Sequence, residues 1–129
     1  MTLIESYCVS ILLYACEAVN WKKSVICRME NAYNQIYFKM FKTFDVHVVN
    51  QCQYFMKKLP LELKYIVQKL KFISCLTNSS NIVLKVLSGM DREYNSICDK
   101  YLVKGDNQSS FDVCIWDYFC IKLDISNNG

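Results

Sequence analysis

Residues 61–73, LELKYIVQKLKFI, carry the clearest helical pattern in the chain. Their apolar side chains recur at i, i+3, i+4, i+7 and i+10, the spacing that lines one face of an α-helix. Lys64, Gln68 and Lys71 fall together on another face, and Pro60 stands at the helix start, where its missing N–H costs nothing. The pattern predicts a helix that is apolar on one side and basic on the other. The apolar residues are Leu63, Ile66, Val67, Leu70 and Ile73.

A longer helix with the same two-sided character is predicted over residues 24–44, with Ser24 as its N-cap. Large apolar side chains gather on one broad arc, and polar and basic side chains gather within about 60° on another side. This is the pattern of a half-buried amphipathic helix. The apolar arc comprises Ile26, Met29, Tyr33, Ile36, Tyr37, Met40 and Phe44, and the polar side comprises Arg28, Gln35, Lys39 and Lys42.

The remaining segments also favour helices. Residues 3–19 predict a short apolar helix, and Asp45 is a candidate N-cap for a helix over 46–57. A turn is predicted at 77–81, and helices are predicted after it over 82–88, 91–101 and 111–123. We also predict a loop at 105–110 and a frayed end from Ser126. We therefore predict an all-α fold, a small bundle of about five to six helices.

The charges are distributed unevenly, although the formal net charge is only +3. Residues 20–72 carry ten lysine and arginine side chains against three acidic ones, whereas residues 90–129 carry four against seven. A basic middle followed by an acidic tail indicates a segment that faces a polyanion. We predict a basic helical bundle over 1–77 and an acidic helical tail over 78–129.

The composition indicates a folded protein without a membrane span. Hydrophobic residues make up 53% of the chain, enough to bury a core. The eight cysteines contain no C-x-x-C pair, and we interpret them as reduced. The run YCVSILLYAC at 7–16 is shorter than the roughly 20 residues that cross a bilayer, and no positive charge precedes it as in a signal peptide. We predict an intracellular protein, cytoplasmic or nuclear, without a membrane partner.

The motifs of known catalytic sites are missing from the sequence. Three glycines cannot build a G-x-x-x-x-G-K or a G-x-G-x-x-G phosphate loop. His47 is the only histidine, and Cys52 follows it by five residues. The two could form a nucleophilic pair or bind a metal, but no other metal ligand lies close to them in the sequence. No two acidic residues are adjacent, and Asp112 and Asp117 are poorly aligned for a two-metal site. We predict no catalytic residue, no metal, no cofactor and no enzymatic activity.

The basic helix faces remain as the candidate site. Lysine and arginine along a helix can follow a phosphate backbone, and each contact releases counterions. Aromatic residues interleaved with these charges could stack on bases, although helical spacing favours core packing for Phe38 and Phe55. A solvated helix surface with no ligand explains the same charges. The candidate nucleic-acid-binding residues are Lys22, Lys23, Arg28, Lys39, Lys42, Lys64 and Lys71, and the candidate stacking residues are Tyr37, Phe38, Tyr54, Phe55 and Tyr65.

Three sequence blocks, taken in order, resemble a known family. An apolar helix ends in Leu13-Tyr14-Ala15-Cys16-Glu17, and the polar linker Asn20-Trp21-Lys22-Lys23 follows it. A second helix closes at Lys39-Met40-Phe41, and the last element runs from Leu59-Pro60 to Lys71-Phe72. In order and spacing, residues 7–76 resemble the region just after the palm in the reverse transcriptases of non-LTR (LINE-like) retrotransposons.

The resemblance implies that the chain is a fragment of an RNA-directed DNA polymerase, made of the thumb and the stretch after it. In that family the thumb is a helical bundle that grips the template–primer duplex through its sugar-phosphate backbone. The catalytic aromatic-Ala-Asp-Asp turn of the family lies upstream of this region and has no counterpart here. The resemblance therefore implies a non-specific backbone-binding domain without polymerase activity, and it extends only loosely beyond Asn78.

The sequence leaves three alternatives open. The first is a helical module for protein interaction or self-association, with exposed apolar residues of the first helix as the contact. The second is a small enzyme that uses His47 and a cysteine. The third is a relic of a retrotransposon with no function, because a single sequence carries no record of selection. The residues of the self-association contact are Tyr7, Ile11, Leu12 and Tyr14.

Overall fold

The computed structural model describes residues 3–14, 16, 21–83, 91–101, 103 and 108–128. Regular structure within these residues is entirely helical, and six helices are described there. Helix α1 begins as a π-helical segment, Ile4–Val9, and continues as the α-helical turn Ser10–Leu12. The others are α2 (Lys23–Phe41), α3 (Val46–Phe55), α4 (Leu61–Thr77), α5 (Asp91–Tyr101) and α6 (Gln108–Asn128). The predicted small all-α bundle is confirmed.

The chain divides into two compact units, Met1–Tyr65 and Ile66–Gly129. The division lies inside α4, so this one helix contributes residues to both units. The sequence analysis placed the boundary after residue 77. That position is the end of α4, where a turn begins at Asn78. The short helix predicted over 82–88 lies mostly outside the described residues.

The core of the first unit is built by α1, α2, α3 and the start of α4. Tyr33 and Tyr37, from the predicted apolar arc of α2, are completely buried. Val49 of α3 and Leu61 of α4 are equally inaccessible, so each of these helices turns one face inward. The burial follows from the helical period, which collects these side chains on one side of each helix. The remaining buried apolar residues of this unit are Val9, Leu13, Cys16, Leu63 and Tyr65.

The second unit has its own core, formed by α4, α5 and α6. The predicted face of α4 is buried, and Leu70 and Ile73 are completely so. In α6 the buried side chains follow i, i+4, i+8 and i+12 spacing, whereas Val113 is 59% exposed. The buried residues of α6 are Phe111, Ile115, Phe119 and Leu123.

The end of α2 differs from the prediction, and the difference alters one surface of the first unit. The helix begins after Lys22, so Ser24 is not its N-cap, and it ends at Phe41 because Lys42 adopts a left-handed conformation with φ 52°. A residue in that conformation cannot continue a right-handed helix. Phe44 therefore leaves the apolar arc and is 91% exposed, and the prediction that placed it in the core was wrong.

The start of α3 agrees with its prediction. The Asp45 side chain accepts a hydrogen bond from the backbone N–H of His47 at 2.9 Å, which is the N-cap interaction. The helix ends at Phe55, earlier than predicted, and Lys57 then takes a left-handed conformation with φ 54°. Helix α6, by contrast, runs from Gln108 to Asn128 and so extends beyond the predicted range 111–123 at both ends.

Candidate nucleic-acid interface

Helix α2 and the residue that ends it carry three exposed cations. Arg28, Lys39 and Lys42 are exposed, and none of them makes an ion pair within the described residues. Arg28 and Lys39 lie on one side of the helix, about 16 Å apart along its axis at 1.5 Å per residue. The exposed residues Asn31 and Gln35 lie between them and add hydrogen-bonding groups without negative charge. This face can contact successive phosphates of a nucleic-acid backbone.

Two further lysines lie at the start of the same helix. Lys22 is the N-cap residue of α2 and Lys23 is its first residue, and both are exposed. No side chain caps this end of the helix. The N-terminus of a helix is electropositive, so two lysines there raise the local positive potential and favour a bound anion.

Lys64 has a different environment, within a cluster of polar side chains inside the first unit. Its ammonium group lies 2.7 Å from both carboxylate oxygens of Glu5 and 3.3 Å from the Tyr33 hydroxyl. Tyr33 donates to Glu5 at 3.2 Å and lies 3.0 Å from the Tyr37 hydroxyl. Because Tyr33 has a single hydroxyl proton, Tyr37 donates to Tyr33 in this arrangement. The cluster joins α1, α2 and α4, and the Lys64 side chain is only 15% exposed.

Burial and pairing set the ionisation of this cluster. Burial alone would raise the pKa of Glu5, but Lys64, together with the charge of Lys58 and the Tyr33 hydroxyl, holds that pKa below its usual value. Burial lowers the pKa of Lys64, and Glu5 offsets only part of this effect. Burial also raises the pKa of Tyr33 and Tyr37, which remain neutral. We regard the Glu5–Lys64 pair as ionised, because the lowered pKa of Glu5 keeps its carboxylate charged at neutral pH and 2.7 Å is typical of a charge-assisted hydrogen bond.

Lys71, the last of the predicted contacts, also has an acidic partner. Its ammonium group lies 2.8 Å from an oxygen of Asp112, within the second unit. Both side chains are substantially exposed, so this ion pair contributes little to stability. Of the seven predicted cations, the structure leaves Lys22, Lys23, Arg28, Lys39 and Lys42 exposed on α2, and it pairs Lys64 and Lys71 with acids.

The predicted stacking residues separate into buried and exposed groups. Tyr37 and Tyr65 are buried, and Tyr65 stacks on Trp21 with ring centroids 6.2 Å apart. Phe38 is half-buried, as its helical spacing indicated. Phe55 is 81% exposed, so the expectation that it packs in the core was wrong. It follows the buried residue Gln53 on α3 and points away from that residue's face.

Phe44 is an exposed ring that the sequence reasoning missed. Its ring centroid lies 6.2 Å from that of Phe38, yet most of its surface is open. A signal for this position was present in the sequence. If Asp45 is an N-cap, its backbone is not helical, so the preceding helix must end before it. An N-cap at Asp45 places Phe44 at the junction of two helices, where the helical period no longer fixes the side that a residue faces.

The predicted self-association residues are largely exposed. Tyr7, Ile11 and Tyr14 are 66%, 75% and 82% exposed, whereas Leu12 is half-buried. Leu3, which the prediction omitted, is 73% exposed and lies one helical turn before Tyr7. The spacing from Leu3 to Tyr7 to Ile11 was the available signal. We refer to Leu3, Tyr7, Ile11 and Tyr14 as the α1 stripe.

Other kinds of site are poorly represented in the described part of the chain. His47 is exposed, and no group of three or more metal-ligating side chains occurs among the described residues. An apolar cleft of about 10 Å³ lies between Leu13, Trp21 and Leu61, far smaller than the roughly 300 Å³ at which ligand pockets begin. None of the described helices is long and apolar enough to cross a membrane.

Comparison with known proteins identifies no relative of this chain. No protein-family model matches the sequence, and no curated protein and no solved structure matches it.

Proposed function

We propose that this chain is a fragment of a non-LTR retrotransposon reverse transcriptase that binds template–primer duplexes non-specifically through their phosphates. The observation that carries the proposal is the exposed cation face of α2. Arg28 and Lys39 lie on that face, Lys42 directly follows the helix, and Lys22 and Lys23 lie at its start. The sequence blocks that resemble the thumb region include this helix. The proposed activity is binding alone, without catalysis.

The structure narrows the set of proposed contacts. Lys64 holds three helices together through Glu5 and Tyr33, so its charge is already balanced inside the protein. Lys71 is paired with Asp112. We therefore assign phosphate contacts to the five exposed cations of α2 and its start. Neutralising Lys64 should alter folding stability rather than nucleic-acid affinity.

The proposal is tested by binding of a labelled RNA–DNA duplex across a salt series. Each phosphate contact contributes about 0.9 to the slope of log affinity against log salt. The variant Lys39→Gln/Lys42→Gln should bind more weakly, with a slope that is smaller by about 2. The matched control is Lys100→Gln/Lys122→Gln, which removes the same charge from exposed positions on α5 and α6. Equal losses in both variants would show a net-charge effect and contradict the proposed interface.

The α1 stripe supports a second candidate function, self-association. Its four side chains are all at least 66% exposed. Leu3, Tyr7 and Ile11 follow i, i+4 and i+8 spacing along one side of the helix, and Tyr14 lies two residues beyond its last residue, Leu12. Glu5, the acidic residue of this segment, turns inward to Lys64 and leaves the stripe uncharged. Two exposed tyrosines alone offer on the order of 300 Å² of contact surface. An exposed apolar surface of this kind marks an interaction site.

A second copy of the chain fits this stripe in antiparallel orientation. A two-fold axis between Tyr7 and Ile11 would place Tyr7 of each copy opposite Ile11 of the other, and Leu3 opposite Tyr14. Each contact would then combine an aromatic with an aliphatic side chain. Sedimentation at increasing concentration should show a rising mass that Ile11→Glu abolishes. The control Val113→Glu, at an exposed site on α6, should leave the mass unchanged, and a wild-type chain that stays monomeric would contradict this candidate.

A further inference from the structure

A highly exposed aromatic ring lies at each end of α3 in the first unit. Phe44 precedes the helix and is 91% exposed, and Phe55 ends it and is 81% exposed. Burying a phenylalanine side chain is normally favourable by about 1.5–3 kcal/mol. Two phenylalanine rings that stay exposed, one just before α3 and one at its end, are therefore unusual and suggest a binding surface. A second exposed aromatic residue accompanies each ring. Phe41 lies three residues before Phe44, and Tyr54 makes an edge contact with Phe55, with ring centroids 5.6 Å apart.

Exposed lysines lie close to each exposed ring in the sequence. Lys39 and Lys42 lie just before Phe44, and Lys57 lies just after Phe55, and all three are exposed. Lys42 and Lys57 are the described non-glycine residues with positive φ, at 52° and 54°. This conformation carries a cost of roughly 1–2 kcal/mol for a residue with a Cβ atom. The chain therefore places a lysine in a strained turn next to each of the two exposed phenylalanines.

We propose that these two ring–lysine groups bind single-stranded nucleic acid, with bases stacked on Phe44 and Phe55 and phosphates near the adjacent lysines. Planar rings beside cations are the combination that binds single strands without sequence preference. The ten residues of α3 separate the groups by about 15 Å, so they contact two different parts of one strand. The inference rests on the proposed nucleic-acid binding and assigns it a second substrate, the single strand.

A lipid surface is the main competing ligand for exposed phenylalanine and lysine, and the structure favours the single strand. An interfacial helix needs an uninterrupted apolar face. On the exposed side of α3, the polar residues His47 and Gln51 interrupt the apolar ones. Asp45 lies next to Phe44, although its carboxylate is engaged by the backbone N–H of His47. Polar groups between separated rings suit a strand whose bases alternate with charged phosphates.

The test uses the full chain, a labelled oligouridine strand, the same backbone with abasic sites, and an RNA–DNA duplex. The Phe44→Ala/Phe55→Ala variant should lose roughly tenfold or more of its affinity for oligouridine per ring removed. Its affinity for the duplex and for the abasic strand should stay that of the wild type. The variant Phe44→Trp/Phe55→Trp keeps the planar faces and should retain oligouridine binding. The control Val113→Ala/Ile121→Ala removes exposed apolar side chains from α6 and should change nothing.

The outcomes separate this inference from the proposed function. If the duplex binds with a steep salt dependence but the double alanine variant binds oligouridine as the wild type does, the stacking surface is refuted and the α2 interface stands. If neither nucleic acid binds the folded chain, both proposals fail. Vesicles of phosphatidylserine and phosphatidylcholine form the competing arm. Loss of vesicle binding in the double alanine variant, with oligouridine binding unchanged, would overturn the inference in favour of a membrane surface.

Discussion

Glu5 connects three helices of the first unit through one carboxylate. It accepts hydrogen bonds from Lys64 on α4 and from Tyr33 on α2, while its own backbone belongs to α1. These helices are far apart in sequence, so the contact fixes their positions in the folded chain. Burial would raise the pKa of this carboxyl group, but the interaction with Lys64 outweighs burial and lowers the pKa.

The lowered pKa of Glu5 predicts a loss of stability in acid. A carboxyl group with a folded pKa below its unfolded value of 4.5 stabilises the fold above that pH, and the contribution disappears as the pH falls through the folded pKa. Glu5→Gln should lower the unfolding free energy by about 2 kcal/mol at neutral pH, because Lys64 then lacks its charged partner. Urea unfolding at a series of pH values should show that the unfolding free energies of the wild type and of Glu5→Gln converge in acid. The control is Glu62→Gln, which removes a carboxylate from α4, the helix that carries Lys64.

Gln53 shows the opposite situation, a buried polar side chain without a partner. It is completely buried in α3, and neither its amide nitrogen nor its amide oxygen makes a hydrogen bond within the described residues. A buried unsatisfied polar group costs about 1–3 kcal/mol. Gln53→Leu should therefore raise the unfolding free energy by about 1 kcal/mol. The exposed position Gln35 gives the control Gln35→Leu, and a loss of stability in Gln53→Leu alone would show that the amide has a hidden partner.

At the scale of an element, α3 depends on its N-cap and positions both ring–lysine groups. Asp45 caps its first turn, and the helix then holds Val49 in the core while Phe55 stays outside. A helix of ten residues is marginal by itself, so its cap and its packing both matter.

Removal of the cap should loosen α3 specifically. Asp45→Ala should lower the unfolding free energy by about 1 kcal/mol, because a backbone N–H of the first turn loses its acceptor. Asp45→Asn keeps a good cap and should have little effect on stability. Amide exchange measured by NMR should quicken in residues 46–55 of the alanine variant before it quickens in α2. Unchanged protection in α3 would show that packing alone holds this helix.

At the scale of the whole molecule, α4 links the two compact units through one unbroken helix. Its first turns supply Leu61 to the core of the first unit, and its later turns supply Leu70 and Ile73 to the core of the second. Each unit also contains one tryptophan, Trp21 in the first and Trp116 in the second. The two indoles can therefore report on the two units separately.

The shared helix predicts that the units unfold together. Trp21→Phe and Trp116→Phe variants should give the same unfolding midpoint by fluorescence, which is the test for a cooperative transition. Phe111→Ala, in the buried core of the second unit, should cost about 3–5 kcal/mol. It should also lower the midpoint that Trp21 reports. A shift confined to Trp116 would show that the units unfold independently.

Single residues show how far the sequence could predict the fold and the site. The helical period of α4 correctly placed Leu70 and Ile73 in the core, and Asp45 was correctly identified as an N-cap. The same period assigned Phe44 to the core, because it carries no information about where a helix stops. Lys64 was predicted to face a ligand, since its partner Glu5 is distant in the chain and no local pattern relates the two.

The sequence by itself determined the all-α class, most helix positions and the concentration of positive charge in residues 20–72. These properties follow from neighbouring residues, through the helical period, caps and composition. Only the tertiary structure decided which lysines face solvent, which are neutralised by acids, and which rings stay outside the core. Those outcomes depend on side chains that meet from distant parts of the chain, such as Glu5 with Lys64. They also depend on where the backbone turns at Lys42 and Lys57.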